Sequence, residues 1–483
     1  MAPPHTVKVL DLSRVAPPPG SVSEASLPLT LFDVLWVQAP PVQRLFFYEF
    51  SPPNTTTTSD FFNTLLPHLK HSLSLALQFF YPLSGNLTFS SQTCEHEIRY
   101  VDGDSVSLTV AESPADFHHL VGNHPKEAEE LHPLVSQLPT ASLLALQVTL
   151  FPNSGFCIGI ILHHAVADGR SLAHFMKSWA SICRTGDASS ITALPLFDRS
   201  LVEDVKGLKK IFLTQMADIK MEETLKDVDV ANQVKPVRAT FVMGRAQIER
   251  LRQRVLARRP ELPHCTPFVL TCAYVWVCLV KARGDVGDKT VHFSFAVDCR
   301  ARLDPPMPAM YFGNCLGFCM AEANGSDLAQ EDGLAAGSDS IGRAIRGLAD
   351  GGLMGAEKWI PRFVEIFGER VVSVAGSPKF RVYDTDFGWG RRRKTEVLSI
   401  EQTGAIYIGE SRYEEGGIEI GVAISRSEMD GFASLFEEVV VNFESGWDLT
   451  FEQMKDLALG LEMSEQRLLW VVWSPNDREA WKD

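Results

Sequence analysis

The sequence predicts an α/β protein built on mixed β-sheets. Two observations carry that reading. Apolar β-rich runs and segments of helical period alternate along the whole chain, and no unit repeats at a fixed spacing. The length, 483 residues, sets the scale at two domains. With 45% hydrophobic and 22% charged residues there is ample material for large cores.

The elements follow in order. Phe61, Leu65, Leu69, Leu73, Leu77 and Phe80 set out an early helix over 60–80, interrupted by Pro67, and Tyr81–Asn86 breaks it. Leu143–Phe151 and Phe156–Leu162 flank Pro152-Asn153-Ser154-Gly155, a hairpin signal. After Asp168-Gly169, the residues Leu172, Phe175, Met176, Trp179, Ile182 and Cys183 lie on one helical face. His164 then stands at the carboxyl end of a strand, where ligand sites in α/β sheets form.

Residues 184–236 are richer in Gly, Ser, Pro and mixed charge, with one helix over Val205–Met216, and read as a crossover between domains. The second half opens with a strand (Ala239–Met243) and helices at Ala246–Arg258 and Pro267–Arg283. A strand at Thr290–Val297 and the loop Asp298–Asn314 follow, then a helix over Glu357–Val371. A hairpin of Val397–Glu401 with Ala405–Ile408, a strand at Gly417–Ile424 and a helix at Ser427–Asn442 complete the pattern.

The net charge of −15 argues against a general nucleic-acid binder, which needs a basic face. Nine cysteines without zinc-like spacing read as free thiols in a reducing compartment. No run of about 18 apolar residues is present, and the first residues carry no charged-then-apolar leader, so a cytosolic protein without a membrane span is expected.

Three constellations carry chemistry. In His163-His164-Ala165-Val166-Ala167-Asp168-Gly169, His164 is a candidate general base and Asp168 a carboxylate that fixes the ring or its loop. Beside this stand Asp168 as a helix cap, His164 as a satisfied core histidine, and a metal set of His163, His164 and Asp168. In Asp386-Phe387-Gly388-Trp389-Gly390, two glycines around a tryptophan favour a rigid turn over a catalytic element. The segments Asp298-Cys299-Arg300-Ala301-Arg302 and Tyr311-Phe312-Gly313-Asn314-Cys315 sit at a sheet's edge, as charge cluster and turn. Arg391-Arg392-Arg393-Lys394 reads as a solvated loop that also suits a phosphate or an acidic acyl group.

Taken together, HxxxD-Gly near one third of the chain and DFGWG near four fifths resemble the BAHD acyltransferase family. The Tyr311–Cys315 segment is similar to the clade that acylates anthocyanins and other phenolic glycosides. The runs at 28–34, 375–378 and 416–421 fit as well, and the likeness covers roughly residues 5–450. The resemblance implies two similar-sized domains of mixed sheet with helices, 1–183 and 237–450, joined by the crossover 184–236, with the active-site channel at their interface. It implies His164 as general base, and Asp168 as an aspartate turned toward an arginine, Arg300 ahead of Arg302. Asp386, Gly388, Trp389 and Gly390 are implied as structural, and Ser377, Arg391 and Arg393 as contacts for coenzyme A.

It further implies no permanently bound cofactor and no metal. The co-substrate is an acyl-CoA, malonyl-CoA first, the acceptor is a phenolic glucoside, and the protein is a monomer. Arg170, two residues past Asp168, is the candidate partner for a malonyl carboxylate. The alternatives are hydroxycinnamoyl or acetyl transfer to another alcohol or amine, an inactive metabolite-binding homologue, and a peptide-synthesis condensation domain, which shares HHxxxDG but lacks DFGWG. Two departures stand out: Arg392 where relatives carry proline, and a tail at 451–483 unlike the family.

Overall fold

The computed structural model describes residues 7–441 apart from 51–55, 218–234, 263–264, 285–286, 349–351 and 367–370. The atypical tail at 451–483 and much of the crossover lie outside the described residues.

Numbered along the chain, the strands form three sheets. The first runs in the order β1 (Lys8–Val15), β6 (Val106–Glu112), β8 (Leu144–Phe151), β9 (Gly155–Leu162), β3 (Val42–Phe50), β14 (Gly390–Val397). Its β6–β8 pair is parallel and its other pairs are antiparallel. The second runs β12 (Leu316–Asn324), β11 (Thr290–Asp298), β13 (Val371–Ala375), β15 (Ala405–Glu410), β16 (Ile418–Ile424), β10 (Val237–Met243), β7 (Lys126–Glu127). Here β13 is parallel to both neighbours. A small third sheet joins β2 (Ala25–Pro28), β5 (Glu95–Tyr100) and β4 (Asn86–Ser90).

The hairpin of β8 and β9 is the centre of the first sheet. Every residue in both strands is buried, because the sheet is covered on two faces. On one face the helices Leu66–Phe79 and Gly169–Thr185 pack against Phe46, Tyr48, Leu146, Ile158 and Ile160. On the other, Leu45 and Phe47 meet Phe117, Leu131 and Phe151. Pro67 does not break the early helix: a π-helical stretch, Phe61–Leu65, precedes it, and Pro67 falls in the first turn of Leu66–Phe79, where its missing N–H costs least. In the second sheet the helix Pro267–Arg283 spans the expected residues, capped by the Thr266 side chain and ended at Gly284.

Three expectations are corrected. Residues 357–371 are not one helix: a 3₁₀ turn and the helix Trp359–Glu365 lead toward β13, which begins at Val371. The β-branched run from Val371 fills the parallel slot between β11 and β15, and that pairing overrides local helical period. Val397 and Ala405 do not form a hairpin. β14 ends at Val397 in the first sheet, Ile400–Thr403 is a helical turn, and β15 pairs in the second sheet. The basic run 391–394 is strand rather than loop, since β14 pairs antiparallel along the length of β3. The two sheets thus exchange strands: β14, from the second half, closes the first sheet, and β7, from the first half, edges the second.

Candidate active site

His164 lies two residues past the end of β9, held by the turn His163–Val166. Asp168 caps the next helix: its Oδ1 accepts from the Ser171 N–H at 2.9 Å. Gly186, with φ 72°, ends that helix in the left-handed region.

The other Asp168 oxygen faces Arg300. Oδ2 pairs with Arg300 Nη1 at 2.7 Å and accepts from the Cys315 N–H at 3.3 Å. Both side chains are buried, so the pair depends on complete hydrogen bonding. Arg300 supplies it. Its Nη2 reaches the Tyr311 and Gly313 carbonyls, both at 3.1 Å, and Ser171 Oγ at 3.3 Å, while Nη1 also meets Asp298 Oδ1 at 3.1 Å. Burial opposes the Arg300 charge, but Asp168 and Asp298 together hold its pKa above the ordinary arginine value.

A second link ties His164 to the two halves. Asn314 Nδ2 donates to the His164 carbonyl at 2.9 Å and to Asp33 Oδ1 at 3.0 Å, and the Asn314 N–H donates to the same Asp33 oxygen at 3.1 Å. Asp33 is fixed by Thr30, whose N–H and hydroxyl donate to Asp33 Oδ2 at 2.9 and 2.7 Å. The Trp36 ring stacks on the imidazole, centroids 3.8 Å apart and planes 12° from parallel. His164 Nδ1 is buried without a hydrogen-bond partner among the described residues. Burial pushes the imidazole down to about 4; Asp168 and the local hydrogen bonds pull it back up, and the nearby Arg44 charge pushes it down. At neutral pH the ring is unprotonated, the form that accepts a proton.

The DFGWG segment is a packed turn that feeds β14 into the first sheet. Phe387 is buried edge-on between Tyr48, 5.3 Å away, and Trp179, 4.9 Å away. Asp386 accepts from the Gly388 N–H at 2.7 Å and faces Arg184 at 3.7 Å near the surface. Gly388 has φ 91°, and a Cβ on Gly390 would lie 2.0 Å from the Glu49 carbonyl oxygen, so both positions require glycine. Trp389 is half-buried, its ring 6.2 Å from His68.

The remaining sequence candidates do not converge on His164. Arg170 is exposed and pairs with Asp298 at 2.8 Å. Ser377 caps a 3₁₀ turn through the Lys379 N–H. Arg393 pairs with Glu49 at 2.9 Å. Arg391 pairs through its backbone with Glu49 in β14, and its side chain is outside the described residues. Arg392, at the position of the family's proline, is buried over Phe46 with its Nε 3.1 Å from the Tyr48 hydroxyl. Among the described residues no cluster of His, Cys, Asp and Glu has the arrangement of a metal site, and no helix is long and apolar enough to cross a membrane.

Sequence reasoning gave no role to Asp33, Asn314, Trp36 or Arg44. The spacing Thr30-x-x-Asp33 was a visible signal for Asp33, since it forms a capping box. Trp36 carried no such signal, because a stacking partner more than a hundred residues away leaves no local pattern.

Comparison with known proteins places this geometry. A family model described as the Transferase family matches residues 6–439. The malonyl-coenzyme A:anthocyanin 3-O-glucoside-6''-O-malonyltransferase of Dahlia pinnata is 36% identical over 454 residues, covering 89% of this chain and 96% of its own. Phenolic glucoside malonyltransferase 2 of Arabidopsis thaliana is 39% identical over 456 residues, covering 89% and 98%. The crystal structure of vinorine synthase shares the fold, with TM-score 0.67 at 20% identity over 89% of this chain and 98% of that one. With the family matched over nearly the whole described length, the chain belongs to this transferase family, the BAHD acyltransferases.

Proposed function

We propose that this protein transfers an acyl group from coenzyme A to a sugar hydroxyl of a phenolic glucoside, with malonyl as the acyl group and His164 as general base. The similarity to malonyltransferases acting on anthocyanin and phenolic glucosides supports the substrate class. The observation that carries the mechanism is the neutral His164, stacked on Trp36 beside an Asp168 that is turned away to Arg300.

Nδ1 is buried, so Nε2 is the nitrogen left to face the acceptor. It takes the proton from the bound hydroxyl as the oxygen attacks the thioester carbonyl. The tetrahedral intermediate collapses, the C–S bond breaks, and the same imidazole returns the proton to the departing thiolate. Asp168 does not relay the proton: both its oxygens are engaged by Ser171, Arg300 and Cys315, so its part is to hold the loop that aims the ring. The Asn314 bond to the His164 carbonyl fixes the same loop from the other side.

We assign the halves 1–183 and 237–450 as the two domains flanking the channel, with 184–236 crossing between them. Ser377, Arg391 and Arg393 remain the proposed contacts for coenzyme A. Arg393 supports this by its exposure: its surface pair with Glu49 is weak enough for a phosphate to displace.

The test combines purified protein, malonyl-CoA and a panel of phenolic glucosides, with thiol release and product mass followed together. A product heavier by one malonyl group is expected, and His164→Ala lowers its rate about 10²–10⁴-fold. A folded wild-type protein that yields no product with malonyl-, acetyl- or hydroxycinnamoyl-CoA would refute the reading.

A further inference from the structure

Among the described residues, a buried arginine beneath the helix that follows the His164 loop has no ion pair. Arg44 is the third residue of β3, between Ile160 of β9 and Val397 of β14. Strand alternation puts it on the same face as Phe46 and Tyr48, beneath the helix Gly169–Thr185. Its side chain is more than nine-tenths buried. Among the described residues it has no ion pair, and its Nε is buried without a hydrogen bond. An isolated buried guanidinium is costly, and proteins that keep one supply an anion or leave room for one.

Arg44 lines a small, partly open cavity with Lys177, Thr385 and Arg392. The other two cations differ: Arg392 is hydrogen-bonded, and Lys177 has no ion pair among the described residues. Arg392 donates to the Tyr48 hydroxyl and the Val382 carbonyl. Lys177 is half-exposed, its pKa lowered first by burial and drawn back by the Asp384 and Glu410 charges. Arg44 is also close to the chemistry. A Cβ placed on Gly169, five residues past His164, would lie 3.5 Å from Arg44 Nη2, and the Arg44 charge is felt at the His164 ring.

We propose that Arg44 receives the free carboxylate of a dicarboxylic acyl group on coenzyme A, and so selects donors such as malonyl-CoA over acetyl-CoA. The inference rests on the acyl-transfer reading and names the group that reads its donor. In a malonyl thioester the carboxylate carbon is two bonds from the reacting carbonyl. Its cation must therefore stand near the general base, and Arg44 lies against Gly169, at the start of the helix that follows the His164 loop. A guanidinium meets a carboxylate with two parallel hydrogen bonds, and burial strengthens them. Arg170 is less suited, because it is exposed and already paired with Asp298.

The experiment measures kcat/KM for malonyl-CoA and for acetyl-CoA with one glucoside acceptor, in wild type, Arg44→Gln, Arg44→Lys and Arg170→Ala. Calorimetry gives the dissociation constants of both donors without acceptor. Arg44→Gln is expected to lower the malonyl-to-acetyl ratio on the order of 10–100-fold, to weaken malonyl-CoA binding in step, and to retain acetyl transfer. Arg44→Lys, which keeps the charge but not the fork, is expected to fall between. The proposal is overturned if Arg44→Gln keeps the ratio, if both Arg44 variants lose the two donors equally, if Arg170→Ala abolishes the preference instead, or if wild type prefers acetyl-CoA. A wild type that turns over neither donor sinks the acyl-transfer reading alone. Calorimetry then decides the inference by whether malonyl-CoA binds more tightly than acetyl-CoA to wild type but not to Arg44→Gln.

Discussion

Two buried arginines, one from each half of the chain, are treated in opposite ways. Arg300 is saturated by two aspartates, two backbone carbonyls and a serine hydroxyl. Arg44 sits in a strand of aromatic residues and, among the described residues, has no ion pair. Both pay for burial, but only Arg300 recovers the cost inside the protein. The difference separates architecture from recognition. A saturated charge holds the His164 loop against the second half, and an unsaturated one waits for a ligand.

The sharpest way to break this comparison is Arg300→Met. It leaves Asp168 buried without its cation, and denaturant unfolding should show a loss of about 3–5 kcal/mol. A loss below about 1 kcal/mol would mean that the seam tolerates an unpaired carboxylate and that saturation says little about role.

The next test uses pH. The folded His164 value near 4 lies below the ordinary 6.5, so the ring stays neutral until the solution is well acidified. The acid limb of kcat/KM should fall near pH 4. The same shift costs stability as pH drops from 6.5 toward 4, because the unfolded chain takes up the proton first. Trp36→Leu uncovers the ring to water and should move the acid limb upward, toward 6.5. An unmoved limb would show that the stacked indole contributes nothing to the desolvation of the base.

The smallest expected effect is the most informative about Arg44. Arg44→Met keeps much of the volume and removes an unpaired charge, so stability should stay within about 1 kcal/mol of wild type or rise. A loss as large as that of Arg300→Met would place Arg44 with Arg300 as architecture.

Much of the first half was legible. The hairpin β8–β9 and the helix after Asp168 are declared by local signals: a Pro-Asn-Ser-Gly turn, an aspartate cap, and apolar residues on one helical face. The second half was harder to read where strands choose distant partners. The helix expected over Glu357–Val371 overruns into Val371–Ala375, which is a strand because two parallel neighbours flank it. The basic run 391–394 looked like solvated loop because nothing near it in sequence reveals β3 as its partner. At the site, His164, Asp168 and Arg300 were named from motif and resemblance. Asp33 and Asn314 stood in segments already singled out, but only the fold shows them holding His164 and Trp36 covering it.

The sequence by itself determined the family, the strand–loop–helix that carries His164, and the residue types for proton transfer, because those are encoded over a few contiguous residues. Only the tertiary structure decided that β14 would close the first sheet, that Asp33 and Asn314 would brace the His164 loop, and that Arg44 would have no ion pair among the described residues. Sheet pairing and charge neutralisation are contacts between residues far apart in the chain. No local pattern records which buried charge finds a partner and which does not.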